Sequence, residues 1–338
     1  MNFFENHSLK PYNTFGISAS SKLFITINSI EELQELLTTS QFLSNELLVL
    51  GGGSNILLTK NFNGLAVKNN LKGIELLQNN EEFVLVKCNA GEVWHEFVLW
   101  CIQKNYAGLE NLSLIPGCTG ASPMQNIGAY GVEIKDVFYE LEALNIQSGE
   151  LINFSKNECE FGYRESVFKR KLKNQFIITS VTFKLLKKPI FHTEYGAIKQ
   201  ELDSMKVTEL SIKNISQAVI NIRKSKLPNP SEIGNAGSFF KNPEVSLEAY
   251  QKLKNHFNNI VAYELENGNY KLAAGWLIEQ CGLKGYRVGD AGVHKLQSLV
   301  LVNYGNASGN EIYNLSTHVI DSVKEKFNVD LEREVNVI

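Results

Sequence analysis

Cysteine is scarce and badly placed for pairing. The five residues, Cys88, Cys101, Cys118, Cys159 and Cys281, are odd in number and never spaced C-x-x-C, which argues against a disulfide framework and against a zinc site. A reduced, cytoplasmic compartment is therefore expected. The six histidines form no H-E-x-x-H motif, and no carboxylate cluster has metal-ligand spacing, so no metal is expected. No apolar stretch approaches the ~20 residues needed to span a bilayer, and the opening MNFFENHSLKPYNTFG lacks the basic start and apolar run of a signal peptide. Charge of one sign is also missing: a net charge of −3 gives no general attraction to nucleic acid or anionic membrane, so any basic site must be local. Neither a G-x-S-x-G elbow nor a G-x-x-x-x-G-K loop occurs.

What is present is a long chain with ordinary globular composition. At 338 residues it exceeds the ~250–300 residues that one core usually serves, so two or three domains are expected. Leu23 to Ile27 alternates like a strand, and Ser29 with Glu32 reads as a capping box for a helix through Leu37. Leu47 to Leu50 reads as a short buried strand running into Gly51-Gly52-Gly53-Ser54-Asn55. Those glycines lead to Ile56-Leu57-Leu58, a strand pattern, whereas a dinucleotide fingerprint would open a helix. What remains is a run of backbone N–H groups suited to a pyrophosphate, or a plain glycine hairpin.

Short strands are expected around Ala66, Ile74 and Phe83 to Lys87, then a helix from Glu92 to Lys104 with Val93, Phe97, Trp100 and Cys101 on one face. His95 lies in that helix, where a lone histidine usually serves surface or packing. Val137 to Ile146 and Phe176 to Leu186 alternate strongly and predict long strands of an antiparallel or mixed sheet. A helix from Ser211 carries Ile212, Ile215, Val219 and Ile222 and ends at Arg223. The following Lys224-Ser-Lys226-Leu-Pro-Asn-Pro230 holds two of only seven prolines and reads as an interdomain hinge. Further helices are expected near Ser246, Leu272 and Ser308, the last with Glu311 in a second capping box, with strands at Leu299 to Asn303 and Leu331 to Val335.

The stretch from Leu109 to Gly131, LENLSLIPGCTGASPMQNIGAYG, organises the rest. Glycines at 117, 120, 128 and 131 and prolines at 116 and 123 make a preset loop in which bare backbone can approach a flat or anionic ligand. A surface loop is the plainer reading, although loops this long in compact domains are rarely idle. Three smaller constellations accompany it. Phe161-Gly-Tyr163-Arg164-Glu-Ser166 places a guanidinium in a turn, where it could clamp a carboxylate or simply be exposed. Asn235-Ala-Gly-Ser238-Phe-Phe-Lys241-Asn242 sets a serine between small residues and aromatics, as suits a proton-donating hydroxyl or a buried turn. Arg223, Lys224 and Lys226 form a basic cluster sufficient for a diphosphate, and Glu332 and Glu334 are expected on one side of a strand.

In order along the chain, the motifs G-G-G-S-N at 51, I-P-G-C-T-G-A-S-P-M-Q-N-I-G-A-Y-G at 115, Y-R-E-S at 163, K-L-P-N-P at 226, N-A-G-S-F-F-K-N-P at 235, K-L-A-A-G-W-L-I-E-Q-C-G-L-K-G at 271 and L-E-R-E-V at 331 resemble the UDP-N-acetylenolpyruvoylglucosamine reductases. The resemblance covers nearly the whole chain. It implies an α+β protein with an FAD-binding unit of the vanillyl-alcohol oxidase type, made of two α+β subdomains, plus a C-terminal α+β substrate-binding domain. The corresponding division is 1–67, completed by 329–338, then 68–227 with a tyrosine loop near Tyr195-Gly196, then 228–328. That loop marks the subclass called type I. No histidine lies between Gly51 and Asn55, so non-covalent FAD is expected.

By the same resemblance FAD is held by Gly51, Gly52, Gly53, Ser54, Asn55, Ile115, Pro116, Gly117, Cys118, Thr119, Gly120, Ser122, Gln125, Asn126, Gly128 and Ala129. Cys118 departs from the commonest form of the loop and suggests an oxidisable thiol near the cofactor. The implied reaction is NADPH-dependent reduction of an enolpyruvyl UDP-sugar to UDP-N-acetylmuramate in peptidoglycan synthesis, by a monomer without nucleic-acid or membrane partners. Ser238 is implied as proton donor, with Arg164 and Glu334 holding the carboxylate and developing enol. An ionised Glu334 would repel an enolate, so it is expected to act protonated or through water. Tyr130, Tyr163, Tyr195, Arg223, Lys226, Asn242, Tyr263, Lys271, Lys284 and Gln297 match substrate-contacting positions. An oxidase on the same flavin unit, or a binding regulator, are the competing readings.

Overall fold

The computed structural model describes residues 1–195 and 197–338 in full and places Gly196 at the start of a helix. By compactness the chain divides into two units, one of residues 1–7, 21–52 and 63–225, the other of residues 8–20, 53–62 and 226–338.

The first unit begins with a four-stranded sheet in the order Phe4–Ser8, Ser20–Ile27, Phe62–Asn69, Leu47–Leu50. The last two strands run parallel, Leu47 opposite Leu65. Helix Ile30–Leu37 starts where the sequence expects it: the Ser29 hydroxyl accepts from the Glu32 N–H, and the Glu32 carboxylate accepts in turn from Asn28 N–H, one residue before the expected partner. Its Leu33 and Leu36 are buried with Ile25, Ile27, Leu65 and Val67.

A second, antiparallel sheet runs Leu151–Ser155, Phe138–Asn145, Phe176–Leu186, Phe83–Asn89, Ile74–Asn79. The alternation of Phe176–Leu186 gave that strand correctly, whereas the expected start at Val137 is taken by a helical turn, Ile134–Val137. Helix Trp94–Gln103 covers this sheet, sharing one core with Val84, Val86, Phe183 and Leu185. The Trp94 and Phe97 rings lie 5.8 and 5.2 Å from that of Phe183. Val93 does not join the buried face: the helix begins after it, and Val93 stays exposed at the N-cap. Helix Ile212–Lys226 buries Ile212, Ile215, Val219 and Ile222 as expected and continues past Arg223.

In the second unit, strands Gly234–Ser238, Val300–Asn303, Ala291–Val293 and Arg287–Val288 form an antiparallel sheet, and Glu244–Val245, Tyr270–Leu272 and Ala262–Glu264 form another. Helices Leu247–His256, Ala274–Gln280 and Gly309–Phe327 pack with them. The capping box of Ser308 and Glu311 is complete. Ile56–Leu57, the strand after the glycine run, pairs in parallel with Asn336–Val337. The strand expected at Leu331 to Val335 shrinks to a single bridge, Phe240 opposite Arg333, because only residues 239–241 run alongside it. Strands and helices interleave throughout, an α+β arrangement. Among the described residues no helix is long and apolar enough to cross a membrane.

Candidate active site

In the first unit the long loop is laid along the segment that leads into helix Trp94–Gln103. Gly120 N–H donates to Ala90 O, Thr119 N–H to Glu92 O, and Trp94 N–H to Gly117 O, at 3.0, 2.9 and 3.0 Å. A side chain on Gly120 would overlap the Ala90 methyl, which explains that glycine by close approach. A Cβ on Gly52 would sit 2.7 Å from Gly117 Cα, so the two glycine loops touch backbone to backbone. Among the described residues the N–H groups of Gly52, Gly117 and Cys118 donate to no acceptor in the chain. Adjacent bare donors at glycine turns suit an anionic ligand, and the residues present therefore fit the pyrophosphate of a dinucleotide.

The side chains of the loop mostly serve its own shape. Thr119 Oγ1 lies 3.3 Å from Cys88 Sγ, and the Ser122 hydroxyl donates to Thr119 O at 2.7 Å. Asn126 is fully buried, donating to Glu133 and to Gly162 O and accepting from Lys135 N–H, each at 3.0 Å. The backbone N–H groups of these three are engaged as well, donating to Glu92 O, Thr119 O and Pro123 O. Ile115, Gln125, Gly128 and Ala129 are half-buried. Cys118 is buried, and burial pushes its thiol up, which removes the reason to expect an easily oxidised thiolate there.

Strain is concentrated around this loop. Leu114, Asn126, Tyr130 and Arg164 have left-handed backbone, at φ +60°, +45°, +51° and +54°, each worth about 1 kcal/mol or more and persisting only where surroundings enforce it. Arg164 donates from Nη2 to Gly128 O at 2.7 Å, and its guanidinium lies 5.5 Å from the Tyr163 ring centre. Tyr130 and Tyr195 stand edge to face at 5.5 Å, Tyr195 half-exposed as the residue before helix Gly196–Ser204. Tyr130 and Arg223 bear on one another electrostatically; burial raises the phenol and lowers the guanidinium from their ordinary values. Arg223 Nε also donates to Leu114 O at 3.2 Å. The fold brings five of the expected site residues to one loop, Tyr130, Tyr163, Arg164, Tyr195 and Arg223. The sequence gave no sign of Asn111, whose buried amide donates at 2.9 Å to both Tyr130 O and His192 O and ties the segment before Tyr195 to the loop. Such a bond to distant backbone leaves no local pattern.

In the second unit Ser238 ends strand Gly234–Ser238 just past a bulge. The bulge is set by Asn235, whose Oδ1 accepts from Gly237 N–H at 3.0 Å while its amide donates to Pro228 O and Ile233 O. Gly237 has φ +70°, and nothing lies within 4 Å of where its Cβ would be. The Ser238 hydroxyl is half-buried and has no hydrogen bond to the described residues, whereas Phe239 and Phe240 beside it are fully buried. The segment with Glu334 runs alongside: Glu334 N–H donates to Phe239 O at 2.8 Å and Lys241 N–H to Glu332 O at 2.9 Å. Glu332 and Glu334 differ in setting. Glu332 is exposed and paired with the buried Lys241 at 2.6 Å, while Glu334 is half-buried.

Asn242 Oδ1 accepts from Ala274 N–H at 3.0 Å, opening helix Ala274–Gln280. Tyr263 and Lys271 face each other across a strand pair, Gln297 lies against Gly275, and Lys284 is paired with Glu279 at 2.8 Å. Lys226 closes helix Ile212–Lys226, exposed.

Family models match in two parts: an FAD binding domain over residues 21–155, and the C-terminal domain of UDP-N-acetylenolpyruvoylglucosamine reductase over residues 229–338. The UDP-N-acetylenolpyruvoylglucosamine reductase of Flavobacterium johnsoniae is 52% identical, over 98% of each chain. That of Amoebophilus asiaticus is 51% identical over 100% of each. The crystal structure of the reductase from Thermus caldophilus superposes with a TM-score of 0.68 at 24% identity, over 99% of this chain and 98% of that one, a likeness of fold. Half-identical from end to end to such relatives, the chain belongs to the UDP-N-acetylenolpyruvoylglucosamine reductase family.

Proposed function

We propose that this protein reduces UDP-N-acetylglucosamine enolpyruvate to UDP-N-acetylmuramate with NADPH, in the cytoplasmic supply of peptidoglycan precursors. The observation that carries the reading is the full-length identity to reductases of that name, together with the FAD-binding match over 21–155. Bound FAD would supply the hydride carrier between NADPH and the substrate's vinyl carbon. The bare N–H groups at Gly52, Gly117 and Cys118, with Ser54 and Asn55 nearby in sequence, would hold its pyrophosphate without a covalent tether.

The chain's own residues then handle charge and proton. Adding hydride to the vinyl carbon leaves charge on the α-carbon and its carboxylate. Arg164, already fixed by Gly128 O, pairs with that carboxylate. Ser238 holds the proton delivered to the α-carbon. A serine hydroxyl is a weak acid, so it acts only on a strongly basic carbon held close and oriented. Its lack of a partner among the described residues leaves the hydroxyl available for this. Glu334, half-buried on the segment bonded to Phe239, assists the enol in protonated form or through water. Tyr130, Tyr195, Arg223, Lys226, Asn242, Tyr263, Lys271, Lys284 and Gln297 contact the nucleotide and sugar. We further propose the three-part division 1–67 with 329–338, 68–227 and 228–328, and a monomeric state.

Two half-reactions test this separately. The purified protein is expected to be yellow, to bleach anaerobically with NADPH and to recolour when the enolpyruvyl UDP-sugar is added. Ser238→Ala should bleach normally and recolour ~10²–10³-fold more slowly, the usual loss for one transition-state donor. Unchanged recolouring in that variant removes Ser238 as the donor. A protein that recolours in air alone at full rate is an oxidase instead.

A further inference from the structure

His95 stands in the first turn of helix Trp94–Gln103, half-buried, and its Nδ1 accepts a hydrogen bond from Leu114 N–H at 2.9 Å. A backbone amide can only donate, so Nδ1 carries no proton and the ring is the neutral Nε2–H tautomer. The same leucine's carbonyl accepts from Arg223 Nε at 3.2 Å. Both polar groups of one residue are therefore held by side chains, and that residue is the left-handed Leu114, φ +60°. On either side Trp94 completes the grip: its indole N–H donates to Leu112 O at 2.9 Å and its backbone N–H to Gly117 O at 3.0 Å. Residues 112 to 117 are thus pinned at three successive points to Trp94 and His95, immediately ahead of the bare donors at Gly117 and Cys118.

We propose that His95 is a positioning residue for the cofactor loop: as a neutral acceptor it locks Leu114 in its left-handed turn and so sets the course of Ile115 to Cys118. This rests on the reading of that loop as the FAD site. It also gives a use to a group that the half-reactions leave idle. Three charged groups bear on the ring, Arg223 and Lys224 from helix Ile212–Lys226 and Glu96 from its own helix. Burial, followed by the two cations, pushes the imidazole below its ordinary value, which keeps it in the accepting form at neutral pH.

Three substitutions separate positioning from packing. His95→Asn puts an acceptor oxygen on Cγ, where Nδ1 stands; His95→Gln moves the polar atoms one bond outward, towards the place of Nε2; His95→Leu offers none. Two measurements are made on the full chain: amide exchange at Leu114 without cofactor, and the dissociation constant for FAD. His95→Leu and His95→Gln are expected to speed exchange at Leu114 about tenfold or more and to weaken FAD about tenfold, the scale of one lost buried hydrogen bond. His95→Asn should stay within about threefold of the parent in both. In the parent, protection at Leu114, corrected for intrinsic exchange, should fall as acid protonates the ring, and His95→Asn should abolish that dependence. Equal behaviour of all three variants, or protection at Leu114 indifferent to His95→Leu, overturns the proposal. A parent chain that binds no FAD overturns the functional reading instead, while exchange at Leu114 still decides whether His95 holds the turn.

Discussion

At the scale of single residues, the cysteines show how burial decides chemistry that sequence leaves open. Cys88 lies inside the core, and burial pushes its thiol up to about 12; burial raises Cys159 to about 12 as well, and Cys101 and Cys118 also rise. Thiolate is the reactive form, so these four are expected to be inert near neutral pH. Burial raises the Cys281 thiol too, but it alone is only half-buried and so open to a reagent, its Sγ near Ser322 O at 3.5 Å. In native protein at pH 7.5, alkylation followed by mass spectrometry should therefore modify Cys281 first and spare Cys118. Early labelling of Cys118 would mean that the loop opens far more than its hydrogen bonds allow. Ser238, Arg164 and Glu334 stand out in the sequence as candidates because motifs in order point to a family. His95 and Asn111 do not, because each acts on backbone 19 or more residues away.

At the scale of elements, period and capping carried most of the information. Strong alternation marked the strand Phe176–Leu186, and S-x-x-E marked the starts of helices Ile30–Leu37 and Gly309–Phe327. Alternation failed at Leu331 to Val335, since a strand also needs a neighbour of matching length. Helix Gly309–Phe327 offers a test in which propensity and packing disagree. Propensity alone favours alanine over glycine at position 309 by up to about 1 kcal/mol. A Cβ there, however, would overlap the Leu58 carbonyl oxygen, a backbone atom that cannot swing away. Gly309→Ala is thus expected to destabilise by about 2 kcal/mol or more, the range of overpacking. Ser308→Ala, which removes only the cap, should cost about 1 kcal/mol. Urea midpoints order the two, and an alanine at 309 that stabilises would show that the helix is free to shift.

At the scale of the whole molecule, the boundaries of the two compact units leave few marks in the sequence. The unit holding residues 226–338 also takes 8–20 and 53–62, with Leu9, Phe15, Ile17, Leu57 and Leu58 buried. No change in composition marks those short crossings; only the proline-bearing segment from Lys224 does, and the last boundary, between Ser225 and Lys226, falls within it. Cofactor binding should report on the same organisation. A ligand that binds only the folded chain at about 100 times its dissociation constant stabilises by about 2.7 kcal/mol. With an unfolding entropy near 2.1 cal/mol/K per residue, a chain of 338 residues melting in one step carries about 0.7 kcal/mol/K, so FAD should raise its midpoint by about 4 °C. If only the first unit, which holds about 200 of the residues, melts with the cofactor, the entropy falls to about 0.4 kcal/mol/K and the shift grows to about 6 °C, confined to one of two transitions. Calorimetry with and without FAD distinguishes these. The Gly52, Gly117 and Cys118 donors lie in the first unit, so in a two-step melt the unit holding 63–225 is the one that should move. A midpoint indifferent to FAD would remove the cofactor from the account.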